Sequence, residues 1–229
     1  MKLSGKRKII TWMMWLIGIV VILSSTASVW YRPLPEVQVK ECTDLDGDAA
    51  YDYVNMITTN YPYRTYGSSA VKDLGDDLVE FFGKQGLDVT KQEFVSWRPD
   101  ANKFYLKFDL VDNDVNLFSD SYDSLIEHVK GTNIIGVSQG ESKQAILIGA
   151  HRDMAYGIQG AEDNASGTGL LMELAKELSN DKHYYTYIFV SFDGEEAQEK
   201  GSDYFVNNYQ ECDSVRLAII LDQVGFSEA

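Results

Sequence analysis

The chain is short of base. Its 229 residues hold 20 lysines and arginines against 35 acids, a formal net charge of −15. Lys2, Lys6, Arg7 and Lys8 lie ahead of an apolar stretch, so the remainder is more acidic still. That balance argues against a nucleic-acid partner, which calls for a basic face. Cysteine is scarce as well, with only Cys42 and Cys212, far apart. Neither sits in a zinc-type cysteine spacing. Whether the two pair in an oxidising compartment stays open. The sequence has no internal repeat and no low-complexity tract. What it does have is 45% hydrophobic residues, enough for one cored domain plus an appendage.

The appendage is N-terminal. A short basic segment precedes Ile9–Leu23, which is almost wholly apolar, and a softer run continues to Trp30 and Tyr31. Read as Ile9–Tyr31, the stretch spans a bilayer as an uncleaved anchor, with Trp30 and Tyr31 as interfacial aromatics. Read as Ile9–Leu23, it is the core of a signal peptide with a small-residue cleavage site ending at Ala27. Residues 1–31 are therefore expected to be a signal anchor or signal peptide. Either reading puts the bulk of the chain outside the cytoplasm, single-pass in the membrane or secreted. Residues 32–44, with Pro33 and Pro35, read as a linker.

From Asp46 onward the pattern is that of a folded domain. Asp46–Asn60 and Ser68–Gln85 carry apolar residues at helical spacing; Ser68 or Ser69 caps the second, and Gly86 ends it. Leu87–Ser96 and Lys103–Val111 alternate like half-buried strands and are expected to pair with each other. Ser121–Val129 reads as a short helix and Thr132–Val137 as a strand. The rhythm then changes to strand, helix, strand, helix, strand: Gln144–Gly149, Ala165–Ser179, Tyr184–Phe192, Ser202–Tyr209 and Arg216–Leu221. Such alternation predicts an α/β fold with a mixed β-sheet, parallel in its second half and flanked by helices. Arg216–Leu221 reads as another buried strand, apolar enough to belong in the middle of a sheet. Yet with only Asp222–Ala229 after it, the strand is expected near an open edge, a template for association.

Chemistry-bearing residues fall at the ends of those strands. His151 follows the first, Glu195 and Glu196 the second, and Asp222 the third. Asp163 stands at the start of the intervening helix. Any one of these alone is ordinarily solvated or a cap. Several at matching strand ends are what a site at the carboxyl edge of a parallel sheet requires. An imidazole with carboxylates is a nitrogen and oxygen ligand set that suits zinc.

Four segments occur in order: Ala-His-Arg-Asp at 150–153, Gly-Ala-Glu-Asp-Asn-Ala-Ser-Gly at 160–167, the Phe189–Ser202 segment with its Glu195-Glu196 pair, and Leu-Asp-Gln at 221–223. Upstream stands Tyr63-Arg64-Thr65-Tyr66-Gly67-Ser68, before a helix. Over residues 45–226 this resembles the zinc exopeptidase family of bacterial leucyl aminopeptidase and aminopeptidase Y. The resemblance implies that His151 and Asp222 bind one zinc, that Asp163 bridges two, and that Glu196 binds the second. It makes Glu195 the general base and acid, and places Asp153 behind His151 to hold its ring tautomer. Where the family has a first acid before the bridging one, this chain has Glu162.

The resemblance further implies a zinc-dependent aminopeptidase-type hydrolase acting on extracytoplasmic peptides. The family supplies one more ligand, a His downstream of the Asp222 position. His128 and His183 lie in the wrong segments for it. The domain over 45–229 is therefore expected to be incomplete at its C-terminus, with one complete zinc position of the family's two. A missing C-terminal region or a second polypeptide would supply the remainder. Glutaminyl-cyclase-like acyl transfer on the same scaffold, or a non-catalytic ectodomain, are the alternatives.

Overall fold

The computed structural model describes residues 45–99, 126–179 and 182–225. They belong to one unit, Asp44–Ala229. The anchor or signal segment, the linker and the strand expected at 103–111 lie outside the described residues.

Two helices open the domain. In α1 (Gly47–Asn60) the Asp46 carboxylate caps the start, accepting from the N–H groups of Asp48 and Ala49 at 3.0 and 3.2 Å. In α2 (Ser69–Lys84) the Ser68 hydroxyl accepts from the Val71 N–H at 3.2 Å. Each cap satisfies backbone donors that the first turn leaves without a partner. The α2 positions Val71, Leu74, Leu78 and Phe82 recur at helical spacing and are all buried.

Among the described residues, five strands form one sheet in the order β1-β2-β4-β3-β5. They are β1 (Asp88–Pro99), β2 (Ile126–Ser138), β3 (Ser142–His151), β4 (Tyr185–Phe192) and β5 (Val215–Ile220). β2 runs antiparallel to β1 and β4, while β3 runs parallel to both β4 and β5. The sheet is thus mixed and parallel in its second half.

Two expectations are corrected here. Along its whole length β1 pairs with β2, which starts at Ile126, so residues 126–129 are strand rather than helix. There the pairing available across twelve residues of β1 outweighs a short local helical pattern. The second correction concerns the burial of β5. It is a strand, but Leu217, Ile219 and Ile220 are exposed rather than buried. Among the described residues it stands at the sheet edge, where an open apolar strand is expected.

The helices divide between the faces. On one side α1, α2 and α3 (Gly167–Ser179) cover a core that includes Ile57, Leu74, Phe82, Ile134, Ile148, Leu171 and Phe189. On the other, α4 (Lys200–Asn208) sets Phe205 against Leu147, Ile188, Val190 and Phe192. Gly169 lets α3 approach α1, because a Cβ there would lie 2.9 Å from the Ala50 carbonyl oxygen. The chain leaves β3 through α3 to reach β4 on one side. It leaves β4 through α4 to reach β5 on the other side of β3. The carboxyl end of β3 is therefore the point where the strand order reverses, and a crevice opens there.

Candidate metal centre

His151 ends β3 in that crevice and is 4% exposed. Its Nδ1 meets the Asp153 carbonyl oxygen at 3.1 Å, and its own carbonyl accepts from the Thr168 hydroxyl at 2.9 Å. With Nδ1–H donating to a carbonyl, Nε2 is the ring nitrogen left to offer a lone pair once its own proton is gone. That Nε2 is buried and has no hydrogen-bond partner. It faces the carboxylates of Asp163 at 3.1 Å and Asp222 at 3.5 Å.

Local backbone explains how each acid arrives. Asp163 lies in an irregular turn, Ala161–Ser166, where it and Asn164 leave helical φ/ψ; the peptide between them is cis. Asn164 is fully buried. Its amide donates to the Leu221 carbonyl at 2.8 Å, and its Oδ1 accepts from the Gly167 N–H at 2.8 Å. This one side chain ties the start of α3 to the end of β5, and so ties Asp163 to Asp222. The Leu221 N–H bonds the Gly149 carbonyl at 2.8 Å, which keeps Asp222 beside His151.

Glu195 and Glu196 follow β4 after a turn in which Gly194 takes φ +73°. A side chain at Gly194 would also meet the Tyr66 ring at 2.9 Å. Asp153, fully buried, accepts from the N–H of Glu195 through Oδ1 at 3.1 Å and from that of Glu196 through Oδ2 at 3.2 Å. Asp153 thus stands behind His151, its Oδ1 3.6 Å from Nδ1, and also splays the Glu195-Glu196 turn. Beneath it, buried Arg152 pairs with Asp193 at 3.2 Å and donates to the carbonyls of Val71, Ser191 and Thr132. Gly201 leaves α4 room to sit on the Asp193 carbonyl, since a Cβ there would strike it.

All five predicted ligand and base positions converge. His151, Asp163 and Asp222 offer donor atoms within 4.8 Å of one another, and so do His151, Glu195 and Glu196. Crowded acids shift the titrations. Burial alone would lower the His151 imidazole, but the hydrogen bond and charge of Asp153, with Glu195 and Asp222, raise it to about 9. Burial raises Glu195, reinforced by Asp153, Asp222 and Asp163 and opposed by His151. Glu196 is raised by burial and by Asp163 and Glu195. Upward shifts of an imidazole and two carboxyls together mark a cluster rich in negative charge and short of positive charge. The orphaned Nε2 among carboxylate oxygens fits zinc, which takes nitrogen and oxygen ligands.

The remaining histidines stand apart. His183, before β4, meets the Ser138 hydroxyl at 2.9 Å and the Tyr185 carbonyl at 2.6 Å, and His128 is exposed on β2. Cys212 is a free thiol, and Cys42 lies outside the described residues. Asn164, Arg152 and Arg64 were not singled out from sequence for what they do here. All three lie inside the quoted motifs, but a buried polar side chain carries no sign in sequence of what it will bond.

Residues 133–229 match peptidase family M28. The chain is 24% identical over 190 residues to the alkaline phosphatase isozyme conversion protein of Escherichia coli K12, covering 77% of this chain and 50% of that one. It is 32% identical over 105 residues to leucine aminopeptidase 2 of Trichophyton rubrum, covering 44% of this chain and 21% of the relative. The chain therefore spans half or less of these curated relatives. Among solved structures it resembles a zinc-dependent exopeptidase of Parabacteroides distasonis, with TM-score 0.62 and 23% identity over 81% of this chain and 64% of that one. It also resembles a glutaminyl cyclase of Bacteroides thetaiotaomicron bound to N-acetylhistamine, with TM-score 0.60 and 26% identity over 79% and 63%.

Proposed function

We propose that the chain forms the metal-binding part of a zinc aminopeptidase; the match of residues 133–229 to peptidase family M28 and the likeness to a zinc-dependent exopeptidase support the reading. The observation that carries the reading is the buried, unpartnered Nε2 of His151, facing Asp163 and Asp222 with its ring fixed through Nδ1. His151, Asp163 and Asp222 would hold one zinc, and Glu196 would contribute to a second position. Zinc supplies Lewis-acid polarisation of water and of the scissile carbonyl when bound. Glu195 takes the proton of the attacking water and returns it to the leaving amine. Its raised affinity for a proton, set first by burial, suits that exchange. Asp153 keeps His151 in one tautomer and fixes the direction of Glu195 through its backbone N–H. Extracytoplasmic peptides are the substrate class in this reading, since the basic and then apolar N-terminus supports export or anchoring. The exposed β5 edge supports a further covering segment, from the same polypeptide or a second one.

Glutaminyl-cyclase-like acyl transfer is the second reading, favoured by the likeness to the glutaminyl cyclase named above. One experiment separates the two and tests both. The zinc-loaded protein is assayed on aminoacyl-anilides and on peptides with N-terminal glutamine, beside Glu195→Gln and His151→Ala. We expect anilide hydrolysis that Glu195→Gln reduces by about 10²-fold or more while zinc stays bound. His151→Ala should lose the metal. Ring closure of glutamine without anilide hydrolysis would favour the second reading. Zinc retained in His151→Ala would remove the ligand assignment.

A further inference from the structure

The loop from His151 to Asp163 joins two of the metal ligands, and its middle has little to hold it. Residues 156–159 are exposed, with Tyr156 80% and Ile158 44% accessible. Packing on the loop therefore does not set its path. Arg64, from the segment ahead of α2, closes it instead. The side chain is fully buried. Its Nε donates to the Arg152 carbonyl at 2.9 Å, one residue after His151. Its Nη1 donates to the Gln159 carbonyl at 3.4 Å and its Nη2 to the Gly160 carbonyl, three residues before Asp163. The Arg64 carbonyl in turn accepts from the Met154 N–H at 3.2 Å.

Each of these acceptors is a main-chain carbonyl, and Nη1 also reaches the Met154 Sδ at 3.8 Å. Arg64 therefore holds chiefly the backbone path of the loop. A planar fork with five donors can reach both arms at once, which a lysine ammonium on the same stem does not do. Gly160 is shaped to receive it. Its φ is +64°, and a Cβ there would sit 2.8 Å from Arg64 Nη2 and 2.8 Å from the Met154 Cβ. Asp153 and Asp163, which border the loop, are the acids whose charges favour the buried guanidinium. We propose that Arg64 is a positioning residue that sets the separation of His151 and Asp163 by clasping the two arms of the loop between them. The proposal rests on the zinc reading above.

The test uses the full chain and two variants, Arg64→Lys and Gly160→Ala. The first keeps the charge and removes the fork, and the second keeps Arg64 and pushes it from its seat. Zinc affinity is measured by competition with a chromophoric chelator, and ligand geometry by the visible absorption of the cobalt(II)-loaded protein. Far-UV circular dichroism reports the fold. We expect both variants to fold, to bind zinc about 10–100-fold more weakly, and to show an altered cobalt spectrum. Folded variants with unchanged zinc affinity and cobalt spectrum would overturn the proposal and leave the zinc reading standing. If Arg64→Lys does not fold, Gly160→Ala decides by the same two measurements. If neither folds, Arg64 is a folding determinant and the positioning role falls. A parent chain that binds no zinc would overturn the site reading itself, and this inference with it.

Discussion

β3 and β5 are neighbours in the sheet, parallel and in register from Ile146 opposite Leu217 to Gly149 opposite Ile220. Both are short apolar runs, and by composition they are hard to tell apart. Yet Leu147, Ile148 and Ala150 are buried, while Leu217, Ile219 and Ile220 are 51%, 41% and 57% exposed. Apolar composition makes a strand; its place in the sheet decides what that strand buries. The metal centre inherits the difference. His151, at the end of the central strand, has a side chain 4% exposed, and Asp222, at the end of the edge strand, has one 50% exposed. One wall of the site is built into the core and the other is open to solvent among the described residues.

The largest effect should come from the core strand. Ile148→Ala should destabilise the domain by about 2–5 kcal/mol, the range for emptying a buried aliphatic site. Ile219→Ala on β5 should cost about 1 kcal/mol or less. Urea titrations of the two variants check this, and equal losses would mean that β5 is covered in solution.

A second measurement sharpens the same contrast. An open apolar strand edge is a template for association. Sedimentation equilibrium of the chain should show concentration-dependent self-association. Leu217→Lys should weaken it by about tenfold or more, the equivalent of losing one buried leucine side chain. A monodisperse parent chain would show that the edge is closed by something else.

The smallest effect belongs to the opposite end of the sheet as formed by the described residues. There β1 carries Lys91, which with Lys72 bonds Asp76 of α2 at 2.6 and 2.9 Å. Those hydrogen bonds hold the Asp76 carboxyl below its ordinary value of 3.8. A carboxyl lowered in the fold adds stability above its unfolded value and loses it as the pH falls through its folded one. The group is solvent-screened, so Asp76→Asn should cost under about 1 kcal/mol at pH 7. The variant and its parent should converge in thermal melts as the pH falls through the folded value of Asp76, which lies below 3.8, because the Asp76 side chain is then neutral like the asparagine. A gap that persists in acid would assign the loss to packing.

Much of the site was legible before any fold was seen. His151, Asp163, Glu195, Glu196 and Asp222 sit at strand ends or a helix start, and those boundaries follow from apolar runs and glycines along the chain. The Asp153 position was expected from the motif, but its second task was not. That it accepts the N–H groups of both Glu195 and Glu196 depends on where β4 ends relative to β3. The short helix expected near Ser121–Val129 failed over residues 126–129, because pairing with β1 is a long-range term that no local window contains.

The sequence by itself determined which segments are helix and strand in the second half of the chain. It also determined which polar side chains stand at the ends of those segments. Periodicity and end signals are local properties, written in neighbouring residues. Only the tertiary structure decided strand order, which places β5 at the edge and its apolar side chains in solvent. It alone decided the partners of the buried polar groups as well: Asn164 to Leu221, Arg152 to Asp193, and Arg64 to the loop carbonyls. A buried donor takes whichever acceptor packing brings within about 3 Å. That acceptor can lie 57 residues away, as it does for Asn164.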